Sequence, residues 1–193
     1  MYYYLQQLFQ ILTDPEYTTI TMYESPRIGE SFIVVSVYAF VTSLDSFLTG
    51  YLRTDTLSIG FISFLISAMS TYLLWVVLAM MFHAVADLLG GLGEFPNALG
   101  FVGLGTAPLI FTSFISLLIN LVMVLVFPTD ADPVFPMITL FLTLIGMAWG
   151  TPGVICYFGM KNAEKLHPIK AFLVTFALFI SLALLVLVKS GIL

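Results

Sequence analysis

The sequence predicts an all-α fold: a polytopic membrane bundle of five transmembrane helices, preceded by short N-terminal helices at the membrane interface. Sixty per cent of the 193 residues are hydrophobic and only 9% are charged. Soluble domains carry roughly 25% charged residues, so most of the surface of this chain must face lipid. The apolar runs are long and continuous rather than short and alternating, which favours helices over the strands of a membrane barrel.

Five segments supply the run of roughly 20 apolar residues that a membrane-spanning helix requires. The predicted spans are residues 31–52, 57–81, 98–127, 134–160 and 169–189. No repeat of fixed period and no low-complexity linker divides the chain. Residues 1–193 are therefore predicted to form one membrane domain.

Residues 1–30 are too polar to span a membrane and too apolar to form a free tail. The string Thr-Asp-Pro-Glu at 13–16 is typical of a helix start. Asp14 is the expected N-cap, Pro15 occupies the first helical position, and Glu16 lies near the positive end of the helix dipole. We expect two short helices at the membrane interface here. The alternative is a first helix that packs on the cytoplasmic end of the bundle.

The distribution of basic residues predicts the orientation of the bundle. With five spans, the side of the N-terminus carries Arg27, Lys161, Lys165 and Lys170, and the opposite side carries Arg53 and Lys189. Cytoplasmic loops usually hold the excess of Lys and Arg. The N-terminus is therefore expected in the cytoplasm and the C-terminus outside.

Glycines and prolines interrupt the third and fourth predicted spans. The third holds Gly103 and Pro108, and the fourth holds Gly146, Gly150 and Pro152. Proline removes a backbone hydrogen bond and kinks a helix, whereas glycines four residues apart let another helix approach closely. We expect the two helices to cross at their glycine faces. The alternative is a mobile hinge that is used in function.

Residues 83–111, HAVADLLGGLGEFPNALGFVGLGTAPLIF, resemble the centre of the YIP family, the Rab/Ypt-interacting-protein domain of five-span membrane proteins. The similar features are a Leu-Gly-Gly string with Gly90 and Gly91, a short polar turn, and a third helix in which Gly103 precedes Pro108. The glycine pair is interpreted as the turn from which the chain re-enters the bilayer.

Two further regions extend the resemblance over nearly the whole chain. The LTDPE string at 12–16 resembles the start of bacterial and archaeal members. Trp149 with Gly159, followed by HPIKAF at 167–172, resembles the passage from the fourth helix to the fifth.

The resemblance implies five helices, a cytosolic N-terminus and a short C-terminus on the far side. In eukaryotes the family is associated with Rab GTPases and with vesicle traffic between the endoplasmic reticulum and the Golgi. This sequence has about 30 residues before its first predicted span and lacks the Asp-Leu-Tyr-Gly-Pro motif of eukaryotic members. It looks like a compact prokaryotic member, which implies the cell membrane, with the endoplasmic reticulum or Golgi as the alternative. A Rab-type GTPase is a partner by resemblance only.

His83 and Asp87 are four residues apart and share one face if they lie on a helix. An imidazole and a carboxylate at this spacing suggest a weak divalent-metal site or a proton relay. His167, Glu94 and Glu164, which are predicted on the same side of the membrane, are candidates to complete the three or four ligands of a stable site. The alternative is that all five are interfacial residues exposed to cytoplasmic water.

Asp45 lies inside the first predicted span. An ionisable side chain at that depth costs free energy unless it faces protein or water, which makes Asp45 a functional candidate. Its expected polar neighbours are Ser43, Ser46, Thr49 and Asn120. The alternative is a structural role or an interfacial position.

The sequence offers no support for an enzyme. The glycines at 90–93 lack the Lys-Ser/Thr of a phosphate-binding loop, and no serine or cysteine nucleophile has a base close in sequence. No cofactor is expected. The net charge of −5 without a basic patch argues against nucleic acid as a partner.

Three hypotheses for function follow. The first is a non-enzymatic YIP-family scaffold that organises membrane or recruits partners through its N-terminal helices. The second is a small transporter or channel built on the broken third and fourth helices, with Asp45, His83 and Asp87 along an ion or substrate path. The third is an assembly subunit whose glycine faces contact another membrane protein or a second copy.

Overall fold

The computed structural model describes residues 9–54, 56–126, 134–150 and 153–189, which form helices and no strand. Within these ranges, five helical segments are long and apolar enough to cross a membrane. They are Ile28–Tyr51, Leu57–Leu88, Phe95–Val122, Leu140–Ala163 and Pro168–Val188, called spans 1 to 5 below. The predicted all-α polytopic bundle is therefore confirmed.

The individual helices are numbered in chain order. They are α1 (Pro15–Ile20), α2 (Ile28–Thr54), α3 (Leu57–Leu88), α4 (Phe95–Leu104), α5 (Ala107–Val126), α6 (Val134–Trp149), α7 (Val154–Phe158) and α8 (Pro168–Lys189), with a π-helix at Gly159–Ala163. Residues 9–13 are also helical. Span 3 is thus made of α4 and α5, and span 4 includes most of α6, then α7 and the π-helix.

Helix α1 begins as the sequence predicts and packs on one end of the bundle. Asp14 is the N-cap, and its Oδ1 accepts a hydrogen bond from the backbone N–H of Tyr17 at 3.1 Å. On the side facing the bundle, Lys161 Nζ lies 2.7 Å from Glu16 Oε1, and Asn162 Nδ2 donates to Thr19 Oγ1 at 3.0 Å. These contacts are those of the alternative given above, in which a first helix packs on the end of the bundle.

Helix α3 continues to Leu88, instead of ending near residue 81, and stops at a glycine turn. Gly90 has a φ of +84°, a conformation that costs glycine little. The Gly91 N–H donates to the Ala86 carbonyl at 2.8 Å, and the Gly90 N–H donates to the Asp87 carbonyl at 3.0 Å. This pair of bonds is the Schellman motif, which satisfies the last carbonyls of a helix.

Helix α4 is the buried half of span 3 and lies at the centre of the bundle. Phe101 is fully buried and contacts Phe82 edge-on, with ring centroids 5.7 Å apart. Ser31 Oγ donates to the Gly100 carbonyl at 2.6 Å, which ties span 1 to α4. A Cβ at Gly103 would lie 2.6 Å from Cβ of Ser31, so glycine there permits the close approach.

Spans 3 and 4 meet at glycines. A Cβ at Gly146 would lie 2.8 Å from Cδ2 of Leu109 on α5. A Cβ at Gly150 would overlap the carbonyl oxygen of Gly105 and lie 3.2 Å from Pro108. These glycine faces are in contact with span 3 inside a single chain. Pro152, which was also predicted to shape span 4, lies outside the described residues.

Three segments meet at one end of the bundle. We call it the α1 end, and it is formed by residues 9–27, 89–94 and 159–167. Leu92 N–H donates to the Glu164 carbonyl at 2.9 Å. Lys170 Nζ, at the start of span 5, donates to the Leu89 carbonyl at 2.8 Å. The segments that a five-span topology puts on one side of a membrane are therefore joined to each other directly.

Candidate functional site at the α1 end

His83 and Asp87 lie on the last two turns of α3, and their side chains differ in surroundings. Asp87 is exposed, whereas the His83 side chain is only 25% exposed. His83 Nδ1 lies 3.5 Å from Oε1 of Glu164, which follows the π-helix directly. The structure thus brings His83 to a carboxylate on the segment between spans 4 and 5.

Glu164 is the most unusual polar residue at this end. Its side chain is 1% exposed, and neither carboxylate oxygen has a hydrogen-bond partner among the described residues. The 3.5 Å separation from His83 is longer than an ordinary N–H···O hydrogen bond. Because a buried polar group without a partner costs free energy, this carboxylate requires an explanation beyond packing.

The glycine-rich 89–94 loop covers Glu164. A Cβ at Gly93 would overlap the Oε2 atom of Glu164, and a Cβ at Gly91 would lie 3.1 Å from its carbonyl oxygen. Between the two glycines, the Leu92 N–H bonds that same carbonyl. The loop can lie flat on Glu164 only because these two positions have no side chain.

Burial raises the pKa of Glu164 from the ordinary 4.5 to about 7. The charge of His83 opposes the rise, and the negative charge of Asp87 adds to it. Near neutral pH, Glu164 is therefore partly protonated.

The candidate metal ligands do not converge in the part of the chain that is described. No group of three or more His, Cys, Asp or Glu side chains there is placed to hold a metal ion. His167 Nδ1 accepts a hydrogen bond from the Ile169 N–H at 3.4 Å, and Glu94 is at the N-cap position of α4. We assign no metal ligand here, and the metal site at His83 and Asp87 stays a prediction.

The alternative that all five residues are exposed to water does not hold for Glu164, whose side chain is 1% exposed. Its burial depends on the 89–94 loop and on α3, which approach from about 70 to 80 residues earlier in the chain. No spacing rule connects positions so distant, so the sequence predicts only that His83 and Glu164 lie on the same side of the membrane, not that they are in contact.

Asp45 has a protein partner inside the bundle. Asn120 Nδ2 donates to Asp45 Oδ1 at 2.9 Å and joins span 1 to span 3. Ser43 is fully buried, while the Ser46 hydroxyl donates to its own helix at the Thr42 carbonyl. Asp45 is 17 residues after Ile28, the start of α2, which is about 25 Å along a helix axis. It therefore belongs to a site separate from that of His83 and Asp87.

The sequence of the chain matches a known protein family. The model of the Yip1 domain matches residues 9–189, almost the entire chain. The chain belongs to the Yip1 family. Neither the curated proteins nor the solved structures contain a match to it.

In this member of the Yip1 family, residues 83–111 form the end of α3, the glycine loop, α4 and the start of α5. The glycines of this region have separate structural tasks. Gly90 turns the chain, Gly91 and Gly93 let the loop approach Glu164, and Gly103 lets α4 approach span 1. The string that carries the resemblance to the family thus supplies the 89–94 loop of the α1 end.

An apolar cleft of about 340 Å³ opens between spans 4 and 5 of the bundle. Its lining residues are Ala148, Gly153, Val154, Tyr157, Phe172, Thr175, Phe176 and Phe179. The Thr175 hydroxyl donates a hydrogen bond to the Ala171 carbonyl at 2.9 Å. None of the candidate path residues Asp45, His83 and Asp87 lines this cleft.

Proposed function

We propose that this Yip1-family protein is a non-enzymatic membrane scaffold that recruits cytoplasmic partners at the α1 end of its bundle. The observation that carries the proposal is helix α1, which is held on the bundle by one side and exposes the other. The excess of Lys and Arg on the segments of this end supports a cytoplasmic location.

The exposed side of α1 has the chemistry of a protein contact. Tyr17 is 56% exposed and Ile20 is 51% exposed, and we call these two residues the α1 face. On the opposite side, Thr18 and Thr19 are buried, and Lys161 forms a salt bridge with Glu16. A tyrosine on a fixed helix loses little conformational entropy on binding, and tyrosine is enriched at the residues that dominate interface energies.

A quantitative affinity purification tests this proposal. A Tyr17→Ala, Ile20→Ala double variant should lose at least tenfold in partner yield, because truncating a dominant aromatic contact costs about 2 kcal/mol or more. The matched control is Leu92→Ala, which removes another exposed apolar side chain from the same end. All three proteins should have the same melting temperature in detergent. Equal partner yield from wild type and the double variant contradicts the proposal.

The partners are the proteins that copurify with wild type but not with the double variant, and their identity gives the class of partner. The family resemblance makes a Rab-type GTPase the first candidate to look for by mass spectrometry. Crosslinks to lipid alone would instead indicate that Tyr17 rests at the membrane interface, where tyrosine is also common.

Transport of an ion or small solute is the second candidate function. It is favoured by the broken helices of spans 3 and 4, since discontinuous helices often form transport sites. Asp45 with Asn120 inside the bundle and His83 with Glu164 at its end supply two polar pairs. Purified protein in liposomes should then carry cation or proton flux that Asp45→Asn and His83→Ala reduce. Flux no greater than that of empty vesicles eliminates this candidate.

A further inference from the structure

The buried carboxylate of Glu164 lies where three separate parts of the chain meet. Span 2 contributes His83, whose Nδ1 is 3.5 Å from Oε1. The 89–94 loop contributes Gly93, which packs on Oε2, and the π-helix leads directly to Glu164 itself. Both carboxylate oxygens and His83 Nδ1 lack hydrogen-bond partners in the described structure.

We propose that Glu164, beside His83, is a proton-binding site whose occupancy keeps the 89–94 loop docked on the segment that follows span 4. With its proton, Glu164 is a neutral acid in a buried site. Without that proton, a carboxylate without a hydrogen-bond partner is left in the same site, at a cost in free energy.

Other charged and titratable groups lie on the segments that surround Glu164. On its own segment, Lys161 binds Glu16 and Lys165 Nζ lies 4.6 Å from the ring centroid of Tyr23. From span 5, Lys170 binds the Leu89 carbonyl, and His167 precedes that helix. From the loop comes Glu94, at the start of α4.

Asp87, on α3, is the other charged group that acts on Glu164. Its negative charge raises the pKa of Glu164, whereas the charge of His83 lowers it. These two neighbours therefore shift the proton affinity of the site in opposite directions, which gives the proposal a signature that packing alone does not produce.

Loss of the proton should open the loop. An ionised Glu164 gains hydration if the loop lifts, and lifting breaks the bond from the Leu92 N–H to the Glu164 carbonyl. His83 is one-quarter exposed, so it offers the route by which the proton exchanges with water at this end. The proposal does not depend on partner recruitment, because it concerns the protein alone.

Hydrogen–deuterium exchange of the full-length protein in nanodiscs tests the site, with EDTA present and rates corrected for the intrinsic effect of pH. The Leu92 amide should lose about tenfold in protection between pH 6 and pH 8.5, with a midpoint near 7. Glu164→Gln, a neutral mimic of the protonated acid, should stay protected across the range.

Two further variants distinguish a titrating site from a packing defect. Asp87→Asn should move the midpoint to lower pH, and His83→Gln should move it to higher pH. Protection of Leu92 that is independent of pH in wild type, or midpoints that move in the same direction in both variants, would overturn the proposal. Protection that appears only when zinc replaces EDTA would also overturn it, since the ligand would then be a divalent cation.

Discussion

Replacing Glu164 by glutamine should make the stability of the protein less dependent on pH. The folded protein holds the pKa of this carboxyl near 7, against an ordinary value of 4.5. A carboxyl with a raised pKa in the folded state contributes its full stability below pH 4.5 and loses it as the pH rises through 7. At about 1.4 kcal/mol per pH unit, the loss amounts to about 3 kcal/mol between these limits.

Most of that change falls within an accessible range of pH. Integrating the two titrations from pH 5.5 to pH 8 gives a loss of about 2 kcal/mol for wild type relative to Glu164→Gln. Reversible unfolding in mixed micelles at several pH values measures this difference directly. Glu24→Gln, which changes an exposed carboxyl at the same end, is the control and should parallel wild type. If Glu164→Gln also parallels wild type, the carboxyl is not buried as described and the reasoning fails.

Three predictions concern contacts within the bundle and use the same unfolding assay. A double-mutant cycle with Asp45→Ala and Asn120→Ala should give a coupling of about 1 kcal/mol, as expected for a hydrogen bond between membrane helices, and zero coupling would contradict the contact. Gly150→Ala should destabilise by about 1–3 kcal/mol, because its Cβ overlaps the backbone of span 3; an unchanged protein would mean that the helices are further apart. Gly90→Ala should cost about 1 kcal/mol at its positive φ, whereas Gly29→Ala, with nothing within 4 Å, is the control and should cost less.

The spans and the start of α1 follow from the sequence because their causes are local. Lipid requires long apolar helices whatever their neighbours are, so composition alone locates them. The Asp-Pro pair at 14–15 specifies a helix start through contacts within a few residues. Helix α3 is longer than the predicted span of 57–81, because the glycine that ends it comes only at Gly90.

The surroundings of Glu164 do not follow from the sequence because they are created by tertiary contacts. A single glutamate beside a lysine at 165 has the pattern of a water-exposed loop, and the structure buries it under the glycine loop. The partnership of Asp45 with Asn120 was easier to anticipate, since a polar residue inside a membrane helix must find a polar partner from a short list.

Photo-crosslinking from position 17 in intact cells tests the central claim, that the α1 end of the bundle recruits cytoplasmic partners. A benzophenone side chain in place of Tyr17 should give a discrete adduct with a cytoplasmic protein. The same group at position 92, at the same end but outside the α1 face, should not. Adducts to lipid alone at position 17, or the same protein adduct from both positions, would contradict the account.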